Sequence, residues 1–314
     1  MHDAAALPPA IFLMGPTAAG KTALALKIHE RLPVEIVSVD AAQVYRGLDI
    51  GTAKPSFEER KRAPHRLIDI REPSEIYSVA DFCTDAMQAM QQITAAGKMP
   101  ILVGGTLFYF RSLLYGLPGL PSADPLVRAN LLREAESLGW AALHARLKQF
   151  DPVRAAAIHP NDPQRIQRAL EIITLTGQTA SGFVRSSTQC LPYNVIKLVL
   201  YPSDRMWLHA RIQERFEQML VLGFLEEAKA LFSRTDMAPE LPSLRTVGYR
   251  HAGLFLSGKI NYHEFVEKAV AATRQLAKRQ LTWLRAERDT WKIDCCVPIE
   301  SEAVIATLNT KLSF

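Results

Sequence analysis

Short apolar runs of about strand length alternate with helix-forming segments through the first third of the chain. The runs fall at 11–14, 34–39, 65–70 and 99–103. Alanine, leucine, lysine and glutamate are frequent in residues 23–32, which favours a helix directly after the first run. A second helix is predicted from Ser78 to about Gly97, because Ser78 and Asp81 have the spacing of a helix N-terminal cap. This order of strands and helices predicts a parallel α/β sheet.

The pattern changes after a run of glycine and proline at 116–121. Two later segments begin with Asp124-Pro125 and Asp162-Pro163, and an aspartate before a proline is typical of a helix N-terminus. The second of these helices is predicted to cover 163–176, because Gly177 follows it. These features indicate a helical insertion.

Strand-like composition returns at 195–200, which indicates that the sheet resumes after the insertion. One long helix is predicted to open at Asp204 and end near Leu222, and another to run from Tyr262 to Arg288. We therefore expect two domains: a catalytic core with C-terminal helices, formed by residues 1–116 and 195–314, and a helical insertion domain at 117–194.

The composition is that of an ordinary folded protein, with 48% hydrophobic and 22% charged residues in a chain of 314. The longest apolar stretches are of strand length, so we expect no membrane span. The N-terminus has no basic segment and runs directly into the first strand, which argues against a cleaved secretory signal. The cysteines lack metal-binding spacing, and without an export signal we expect reduced thiols in a cytoplasmic protein: Cys83, Cys190, Cys295 and Cys296.

A formal net charge of +5 and an isoelectric point near 9.0 favour a polyanionic partner without proving one. Basic residues are frequent in the segment 245–288, where Tyr249 and Trp283 lie between them. Such a segment is either a solvated helix face or a nucleic-acid surface, and its composition leaves both interpretations open. The basic residues considered are Arg245, Arg250, Lys259, Lys268, Arg274, Lys278, Arg279, Arg285 and Arg288.

A phosphate loop of the form G-x-x-x-x-G-K-T occupies residues 15–22, between the first predicted strand and the helix after it. In that setting the backbone N–H groups of the loop and the helix N-terminus form an anion site. Lys21 adds a positive charge, and the hydroxyl of Thr22 is suited to bind Mg²⁺. The motif predicts a polyphosphate ligand, either a nucleoside triphosphate or another diphosphate ester. The residues expected to bind it are Gly15, Pro16, Thr17, Ala18, Ala19, Gly20, Lys21 and Thr22.

Two further polar residues follow predicted strands, at the ends where parallel sheets deliver their functional groups. Asp40 comes directly after the second run, and Thr106 follows the fourth run and the pair Gly104-Gly105. Asp40 either caps the next helix or faces the bound phosphate ester, where it can accept a proton from an incoming nucleophile. Thr106 offers a hydroxyl at the bend after the fourth run.

Arg211 and Arg215 lie four residues apart on the helix that opens at Asp204, so they share one face. Two arginines on one face can bind a diphosphate from the side opposite the phosphate loop. The alternative is a pair of surface arginines that form ion pairs with Glu214 and Glu217.

A series of short motifs covers most of the chain, from about residue 11 to residue 285. On these motifs the chain resembles the bacterial tRNA dimethylallyltransferases. The resemblance implies an α/β fold whose parallel-sheet phosphate-loop core is similar to that of nucleoside kinases, with a helical insertion domain that contacts tRNA. Besides the phosphate loop and the Arg211–Arg215 pair, the motifs are S-V-D at 38–40, D-I-G-T-A-K-P at 49–55, H-R-L-I-D at 65–69, Y-S-V-A-D-F at 77–82, G-G-T at 104–106, N-D-P-Q-R at 161–165, V-G-Y-R at 247–250 and T-R-Q-L-A-K-R-Q at 273–280.

The implied reaction moves a dimethylallyl group from dimethylallyl diphosphate to the exocyclic N6 of an adenosine in tRNA. The acceptor is the adenosine at tRNA position 37, immediately 3′ of the anticodon. The implied partners are the anticodon loop of tRNA and dimethylallyl diphosphate, the implied cofactor is Mg²⁺, and we expect a monomer. The resemblance also implies that the phosphate loop holds a diphosphate leaving group rather than ATP.

By position, the resemblance implies that Asp40 acts as the general base on N6 and that Thr106 lies near the reacting centre. It implies that Lys21 contributes to catalysis and that Arg215, with Arg211 as the second choice, grips the diphosphate. The residues implied to contact tRNA are Asp40, Ala41, Ala42, Gln43, Thr106, Arg128, Gln164, Arg165, Ile166, Gln167, Arg168, Arg245, Thr246, Val247, Gly248, Tyr249 and Arg250.

Three other functions fit part of the same pattern. A small-molecule kinase would bind ATP at the phosphate loop and use Asp40 to activate a hydroxyl, but it needs no basic segment at 245–288. An enzyme that prenylates free adenine nucleotides would share the catalytic half and need less of the tRNA-facing surface. An RNA-binding NTPase needs a carboxylate on a distant strand, and Asp40 follows Thr22 too closely in sequence for that role.

Overall fold

Six strands form one parallel sheet within residues 7–183 and 191–312, the part of the chain that this computed structural model describes. Their order across the sheet is β3-β2-β4-β1-β5-β6. The predicted parallel α/β sheet is therefore confirmed. The strands are β1 (Pro9–Met14), β2 (Val34–Val39), β3 (His65–Arg66), β4 (Met99–Gly104), β5 (Asn194–Tyr201) and β6 (Thr290–Asp294).

The helices follow the strands in the order that the sequence pattern predicts for residues 21–95 and 163–176. Ser78 and Asp81 form the expected reciprocal cap at the start of one helix. In chain order the helices are α1 (Lys21–Arg31), α2 (Phe57–Arg62), α3 (Val79–Ala95), α4 (Leu107–Tyr115), α5 (Pro125–Leu138), α6 (Trp140–Phe150), α7 (Pro152–Ala156), α8 (Pro163–Thr176), α9 (Arg205–Val221), α10 (Phe224–Phe232), α11 (Tyr249–Leu256), α12 (Tyr262–Ala286) and α13 (Ser301–Leu312).

The chain packs as two units. One unit joins Met1–Leu113 with Pro192–Phe314, and the other is Leu114–Leu191. The second unit contains α5 to α8 and overlaps the insertion expected at 117–194. Cys190 lies outside the described residues. Within the described residues, no helix is long and apolar enough to cross a membrane.

The third predicted strand is shorter than the run at 65–70, and this part of the prediction is wrong. β3 ends at Arg66, because Leu67 and Asp69 adopt the left-handed conformation with φ of 62° and 56°. Ion pairs hold Asp69 there: its carboxylate accepts from Lys54 Nζ at 2.6 Å and from a guanidinium nitrogen of Arg60 at 2.5 Å. The apolar run at 67–70 therefore forms a turn whose shape depends on charged neighbours.

Buried apolar side chains of β1 alternate between two sides of the sheet. Ile11 and Leu13 join a cluster with residues of α1 and α13 on one side. On the other side the ring of Phe12 lies 5.0 Å from that of Phe110 in α4. Each fully buried apolar side chain of this size contributes about 1.5–3 kcal/mol, so the strand is held firmly on both sides. The loop that follows β1 is thereby anchored to the centre of the sheet.

Strand register brings the candidate site residues together. Gly104 at the end of β4 lies opposite both Met14 in β1 and Val39 in β2. The residues that follow these strands, Gly15 and Asp40, therefore emerge at the same edge of the sheet. A Cβ added to Gly104 would lie 2.0 Å from the carbonyl oxygen of Val39, so this close approach requires glycine.

In the second unit, a buried carboxylate joins two of its helices. Glu171 on α8 is fully buried and accepts hydrogen bonds from the guanidinium groups of Arg128 on α5 at 2.9 Å and Arg168 on α8 at 2.6 Å. The backbone N–H of Asp124, which caps α5, donates to the same carboxylate at 2.8 Å. Burial opposes ionisation of Glu171, but these hydrogen bonds outweigh it and keep the pKa below its usual value.

Candidate active site

A cavity of about 620 Å³ opens at the carboxyl edge of the sheet in the first unit. The phosphate loop forms one wall, and α9 and α12 contribute side chains to another. The residues around it that carry polar chemistry include Thr17, Gly20, Lys21, Thr22, Ser38, Asp40, Gln43, Thr52, Lys54, Arg211, Arg215, Thr246, Thr273 and Gln280.

The phosphate loop leads into α1 in the conformation that an anion site requires. Gly20 precedes the helix with a φ of 88°, and no side chain in the described part of the chain caps the first turn. The first N–H groups of α1 therefore have no partner within the helix and remain available to an anion. Ala18 also adopts the left-handed conformation, with a φ of 63°. The expected strand, loop and helix are all present.

Lys21 lies between two charged groups of opposite sign. Its ammonium donates to the carbonyl oxygens of Gly15 at 3.0 Å and Pro16 at 2.7 Å. Burial lowers the pKa of Lys21 most and the Arg215 guanidinium lowers it as well, while the Asp40 carboxylate opposes the shift, and the combined result is a pKa of about 8. Lys21 therefore interacts electrostatically with both residues. A bound anion would raise the pKa of its ammonium and so favour the charged form.

Arg215 and Arg211 occupy different environments on α9. Arg215 is half-buried, and removal from water lowers its pKa while the Asp40 carboxylate opposes the shift. Within the described residues Arg215 forms no ion pair, whereas the exposed Arg211 pairs with Glu214 at 3.6 Å. The alternative of a surface arginine with an acidic partner therefore applies to Arg211. Glu217, the other expected partner, accepts a hydrogen bond from Gln213. Arg215 is the cation left for a ligand.

Among the described residues, the hydrogen bonds that the Asp40 carboxylate accepts all go to one of its two oxygens. Oδ1 accepts from the backbone N–H groups of Ala42 at 2.8 Å and Gln43 at 3.3 Å. These residues form a turn and not a helix, so the helix-cap alternative is wrong for Asp40. Its Oδ2 accepts no hydrogen bond from the part of the chain that the structure describes. One carboxylate oxygen therefore remains available to a ligand in the cavity.

Thr106 supports the turn after Asp40 and does not line the cavity. Its Oγ1 accepts from the backbone N–H of Ala41 at 3.2 Å, and its own N–H donates to Val39 at 3.3 Å. The structure thus brings Thr106 beside Asp40, as expected. Its contacts fix the backbone on which Asp40 lies.

Sequence reasoning gave no role to Glu227, which holds a loop at the cavity wall. Its carboxylate accepts from the N–H groups of Asp49 at 2.9 Å, Ile50 at 2.8 Å and Gly51 at 2.9 Å. The adjoining residues 51–55 line the cavity. The D-I-G-T-A-K-P motif at 49–55 marks this loop in the sequence, but nothing in the sequence pattern identifies its partner on α10.

The resemblance implies that Tyr249 contacts tRNA, but its side chain is fully buried and cannot make that contact. The ring packs edge-on against Phe224 with centroids 5.1 Å apart. Burial raises the pKa of the Tyr249 hydroxyl, which donates to Glu227 at 2.5 Å. In the same stretch, Thr246, Val247 and Gly248 line the cavity, while Arg245 and Arg250 are exposed.

The insertion residues expected to contact tRNA differ in accessibility. Ile166 is fully buried in the apolar cluster of the second unit, so its side chain cannot contact a ligand. Gln167 donates to the carbonyl of Arg128 at 3.1 Å, and both Arg128 and Arg168 bind Glu171. Gln164 and Arg165 are exposed, and Arg165 makes a long ion pair of 3.4 Å with Asp162.

The basic segment at 245–288 has few acidic partners. Lys268 pairs with Glu264 at 3.6 Å. Trp283 is partly covered by Phe108, whose ring lies 6.2 Å away. Among the described residues, eight cations form no ion pair with a carboxylate: Arg245, Arg250, Lys259, Arg274, Lys278, Arg279, Arg285 and Arg288.

The oxygen atoms in the cavity suit Mg²⁺ if a bound substrate supplies further oxygen ligands. Thr22 and Ser38 offer hydroxyl oxygens and Asp40 a carboxylate oxygen to the same cavity. The described residues contain no cluster of three or more histidine, cysteine, aspartate or glutamate side chains that could hold a metal alone. Mg²⁺ commonly binds one or two protein oxygens together with substrate phosphates and waters, which fits this set.

Residues 43–287 match the model of a family described as IPP transferase. The chain is 37% identical to the full-length tRNA isopentenylpyrophosphate transferase from Bacillus halodurans, over 97% of this chain and 96% of that one, with a TM-score of 0.70. It is 32% identical to tRNA delta(2)-isopentenylpyrophosphate transferase from Staphylococcus epidermidis, over 97% and 98%, with a TM-score of 0.68. A eukaryotic dimethylallyltransferase acting on tRNA matches at 28% identity over 98% of this chain and 80% of that chain, with a TM-score of 0.80.

Proposed function

This chain belongs to the IPP transferase family, and we propose that it transfers a dimethylallyl group from dimethylallyl diphosphate to N6 of the adenosine at position 37 of tRNA. Prenylation of tRNA is the activity that its similarity to tRNA isopentenylpyrophosphate transferases and to a dimethylallyltransferase acting on tRNA supports. These similarities do not favour the small-molecule kinase. The donor, the acceptor atom and the position in tRNA are the proposed details.

One observation carries the proposal: a phosphate loop and a carboxylate emerge into one cavity from β1 and β2, the two strands on either side of β4. Gly104 lies opposite both Met14 and Val39, so the loop after β1 and Asp40 after β2 share this edge. An anion site for a leaving group and an acceptor for a proton are the two groups that alkylation of an amine requires.

The proposed reaction forms one bond, breaks one bond and releases one proton. N6 of adenosine attacks C1 of the dimethylallyl group, and the bond between C1 and the diphosphate oxygen breaks. The bonding electron pair leaves with the diphosphate, and N6 loses one proton. Asp40 accepts that proton through Oδ2, because Oδ1 is held by the N–H groups of Ala42 and Gln43.

Negative charge develops on the diphosphate as the C–O bond breaks. The open N–H groups at the start of α1, the Lys21 ammonium and the Arg215 guanidinium are positioned around the cavity before the reaction. Groups already in place stabilise the transition state with little rearrangement. Mg²⁺, when bound by the hydroxyl oxygen of Thr22, would neutralise part of the charge on the phosphate oxygens.

Recognition of tRNA requires that the target base leave the anticodon loop and enter the cavity. Ala41, Ala42 and Gln43 adjoin Asp40 in the turn that would meet the base. Phosphate contacts are assigned to exposed cations, which are Arg165 in the insertion and Arg245 and Arg250 in the first unit. The proposed enzyme is a monomer that works in the cytoplasm.

A labelled-donor assay tests the proposal. Purified protein, Mg²⁺, unmodified tRNA and labelled dimethylallyl diphosphate are expected to yield labelled tRNA. A tRNA with guanosine at position 37 serves as the matched control and is expected to remain unlabelled. Parallel reactions offer AMP in place of tRNA, or ATP with small acceptors. Label on AMP but not tRNA, or transfer of the terminal phosphate of ATP, would contradict the proposal.

A further inference from the structure

Four apolar side chains of the cavity have no part in the proton and charge transfers proposed above. Ile212, Phe216 and Met219 lie on α9, and Phe224 opens α10. We call these four residues the apolar wall. An apolar surface adds to binding only when it covers an apolar group of the ligand, and the proposed donor joins a diphosphate to a hydrocarbon. The apolar wall is therefore the part of the cavity suited to the hydrocarbon.

Three members of the apolar wall are fixed in place by the residues around them. Ile212, Phe216 and Phe224 are buried, and the two phenylalanine rings pack edge-on with centroids 6.0 Å apart. The ring of Tyr249 lies edge-on to Phe224 at 5.1 Å. A Cβ added to Gly51 would lie 2.4 Å from Phe224 Cε2, so the backbone at this position touches the ring. In a closely packed interior these side chains cannot move back to make room for a larger ligand.

Met219 differs from the other members of the apolar wall because it is only partly buried. Its side chain is unbranched and flexible, and such a side chain fits itself to the shape of its neighbour. Met219 can therefore close around a bound hydrocarbon. It also occupies volume that a longer hydrocarbon would need, since Phe216 and Phe224 beside it are fixed.

Met219 lies one helical turn beyond the arginine that is proposed to bind the leaving group. Arg215 and Met219 are four residues apart on α9, so they share one face and are separated by about 6 Å along the helix axis. Both line the cavity. The hydrocarbon of the donor is attached to the diphosphate through C1. A chain that starts beside Arg215 thus reaches Met219 within a few carbon–carbon bonds of about 1.5 Å each.

We propose that Met219 limits the donor to a five-carbon chain and so determines which isoprenoid diphosphate the enzyme uses. The inference rests on the proposed function, which supplies a donor with its diphosphate at Arg215. One extra methylene group in a closely fitting apolar pocket changes selectivity by about 10- to 200-fold. A longer chain must displace Met219 against the fixed rings of Phe216 and Phe224, and it is disfavoured for that reason.

Donors of increasing length measure the space in front of Met219. The first donor is dimethylallyl diphosphate, the second has two more methylene groups in one terminal arm, and the third is geranyl diphosphate, with five more carbons. For each donor, kcat/KM for transfer to unmodified tRNA is measured with the wild type and with Met219→Ala. This substitution removes three heavy atoms, which makes room for the second donor but not for the third.

We expect the wild type to prefer dimethylallyl diphosphate over the second donor by about 10- to 200-fold. In Met219→Ala this preference is expected to fall by about tenfold or more, while geranyl diphosphate stays a poor donor. Met206→Ala is the matched control, because Met206 is an exposed methionine near the start of α9 and outside the described residues that line the cavity. It is expected to keep the preference of the wild type. Met219→Val, a smaller truncation, replaces Met219→Ala if the latter does not fold.

The outcomes separate this inference from the proposed function. A preference that falls in Met219→Ala and not in Met206→Ala supports the role of Met219. Normal transfer of the dimethylallyl group with the same preference in all three proteins overturns that role and leaves the proposed function standing, as does equal use of all donors by the wild type. If the wild type transfers no donor, the proposed function fails. The Kd values of the three diphosphates, measured by calorimetry without tRNA, then decide the inference by the same ratios.

Discussion

The side-chain Oε1 of Gln280 accepts a hydrogen bond from the backbone N–H of Thr17 over 2.9 Å, across 263 positions of the chain. Nε2 of the same amide donates to the carbonyl of Gly105 at 2.8 Å. One buried side chain of α12 therefore joins the phosphate loop to the end of β4. A Cβ on Gly105 would lie 2.4 Å from Nε2, so this contact also needs glycine at 105.

Replacement of Gln280 is expected to weaken diphosphate binding. In Gln280→Ala the phosphate loop loses its link to α12, and we expect the Kd for inorganic pyrophosphate to rise about tenfold, the equivalent of one lost hydrogen bond of about 1.4 kcal/mol. Isothermal titration calorimetry measures this change. Gln275→Ala, at an exposed position of the same helix, is the control. Equal Kd values for the wild type and Gln280→Ala would show that the link does not shape the loop.

Asp40→Asn is expected to reduce the rate of prenyl transfer by about 10²- to 10⁴-fold, the usual range for a general base. The amide oxygen can still accept from the N–H groups of Ala42 and Gln43, so the turn is preserved. Single-turnover assays measure the rate, and anisotropy checks that tRNA still binds. A rate close to that of the wild type would refute the role of Asp40 as base.

The affinity for pyrophosphate is expected to fall as the pH rises through about 8. The charged form of Lys21 binds the anion, and burial first, then Arg215, brings its pKa down to about 8 in the free protein. Above that pH the free protein must take up a proton on binding, so log Kd should rise by up to about one per pH unit. Lys21→Arg, which stays charged, should lose this dependence. Parallel pH profiles for the two proteins would contradict the prediction.

Glu227→Gln is expected to destabilise the fold by about 2–4 kcal/mol, because the amide nitrogen replaces one of the two acceptor oxygens and leaves part of the set of three backbone N–H groups facing a donor. Tyr249→Phe removes only the hydroxyl that donates to Glu227 and should cost about 1 kcal/mol. Urea unfolding measures both. Equal losses in the two variants would show that the loop at 49–51 does not depend on the carboxylate.

Arg165 and Arg168 are expected to respond differently to alanine. Arg168→Ala leaves the buried Glu171 with one fewer cation and should lower stability by about 1.5–3 kcal/mol. Arg165→Ala changes an exposed side chain, so stability should change by less than about 0.5 kcal/mol while the KM for tRNA rises. Urea unfolding and steady-state kinetics separate the two effects. A large stability loss in Arg165→Ala would contradict this division.

Local signals in the sequence were sufficient for much of the fold. The run at 34–39 is β2, and Asp162-Pro163 with Gly177 bounds α8 at both ends. These features depend on neighbours within a few residues, where capping and apolar spacing decide the outcome. The phosphate loop and Asp40 were predictable for the same reason, since each directly follows a strand.

The features that the sequence could not predict depend on contacts between segments that are far apart in the chain. The turn after β3 depends on ion pairs of Asp69 with Lys54 and Arg60. The loop at 49–51 depends on Glu227, and Tyr249 is buried because Phe224 and that carboxylate surround it. Periodicity carries no information about such partners, which is why the sequence could not show that Tyr249 is buried.

The position of β1 between β4 and β5 has a consequence for synthesis on the ribosome. Ile11 pairs with Ile101 on one side and with Ile196 on the other, so the strand lacks its second neighbour until β5 has been translated, long after β1 itself. Elongation at about 5–20 residues per second makes that a wait of roughly ten seconds or more. The motif at 15–22 is thus made long before Gln280, and a nascent chain stalled before Gln280 would carry it without the support that α12 provides.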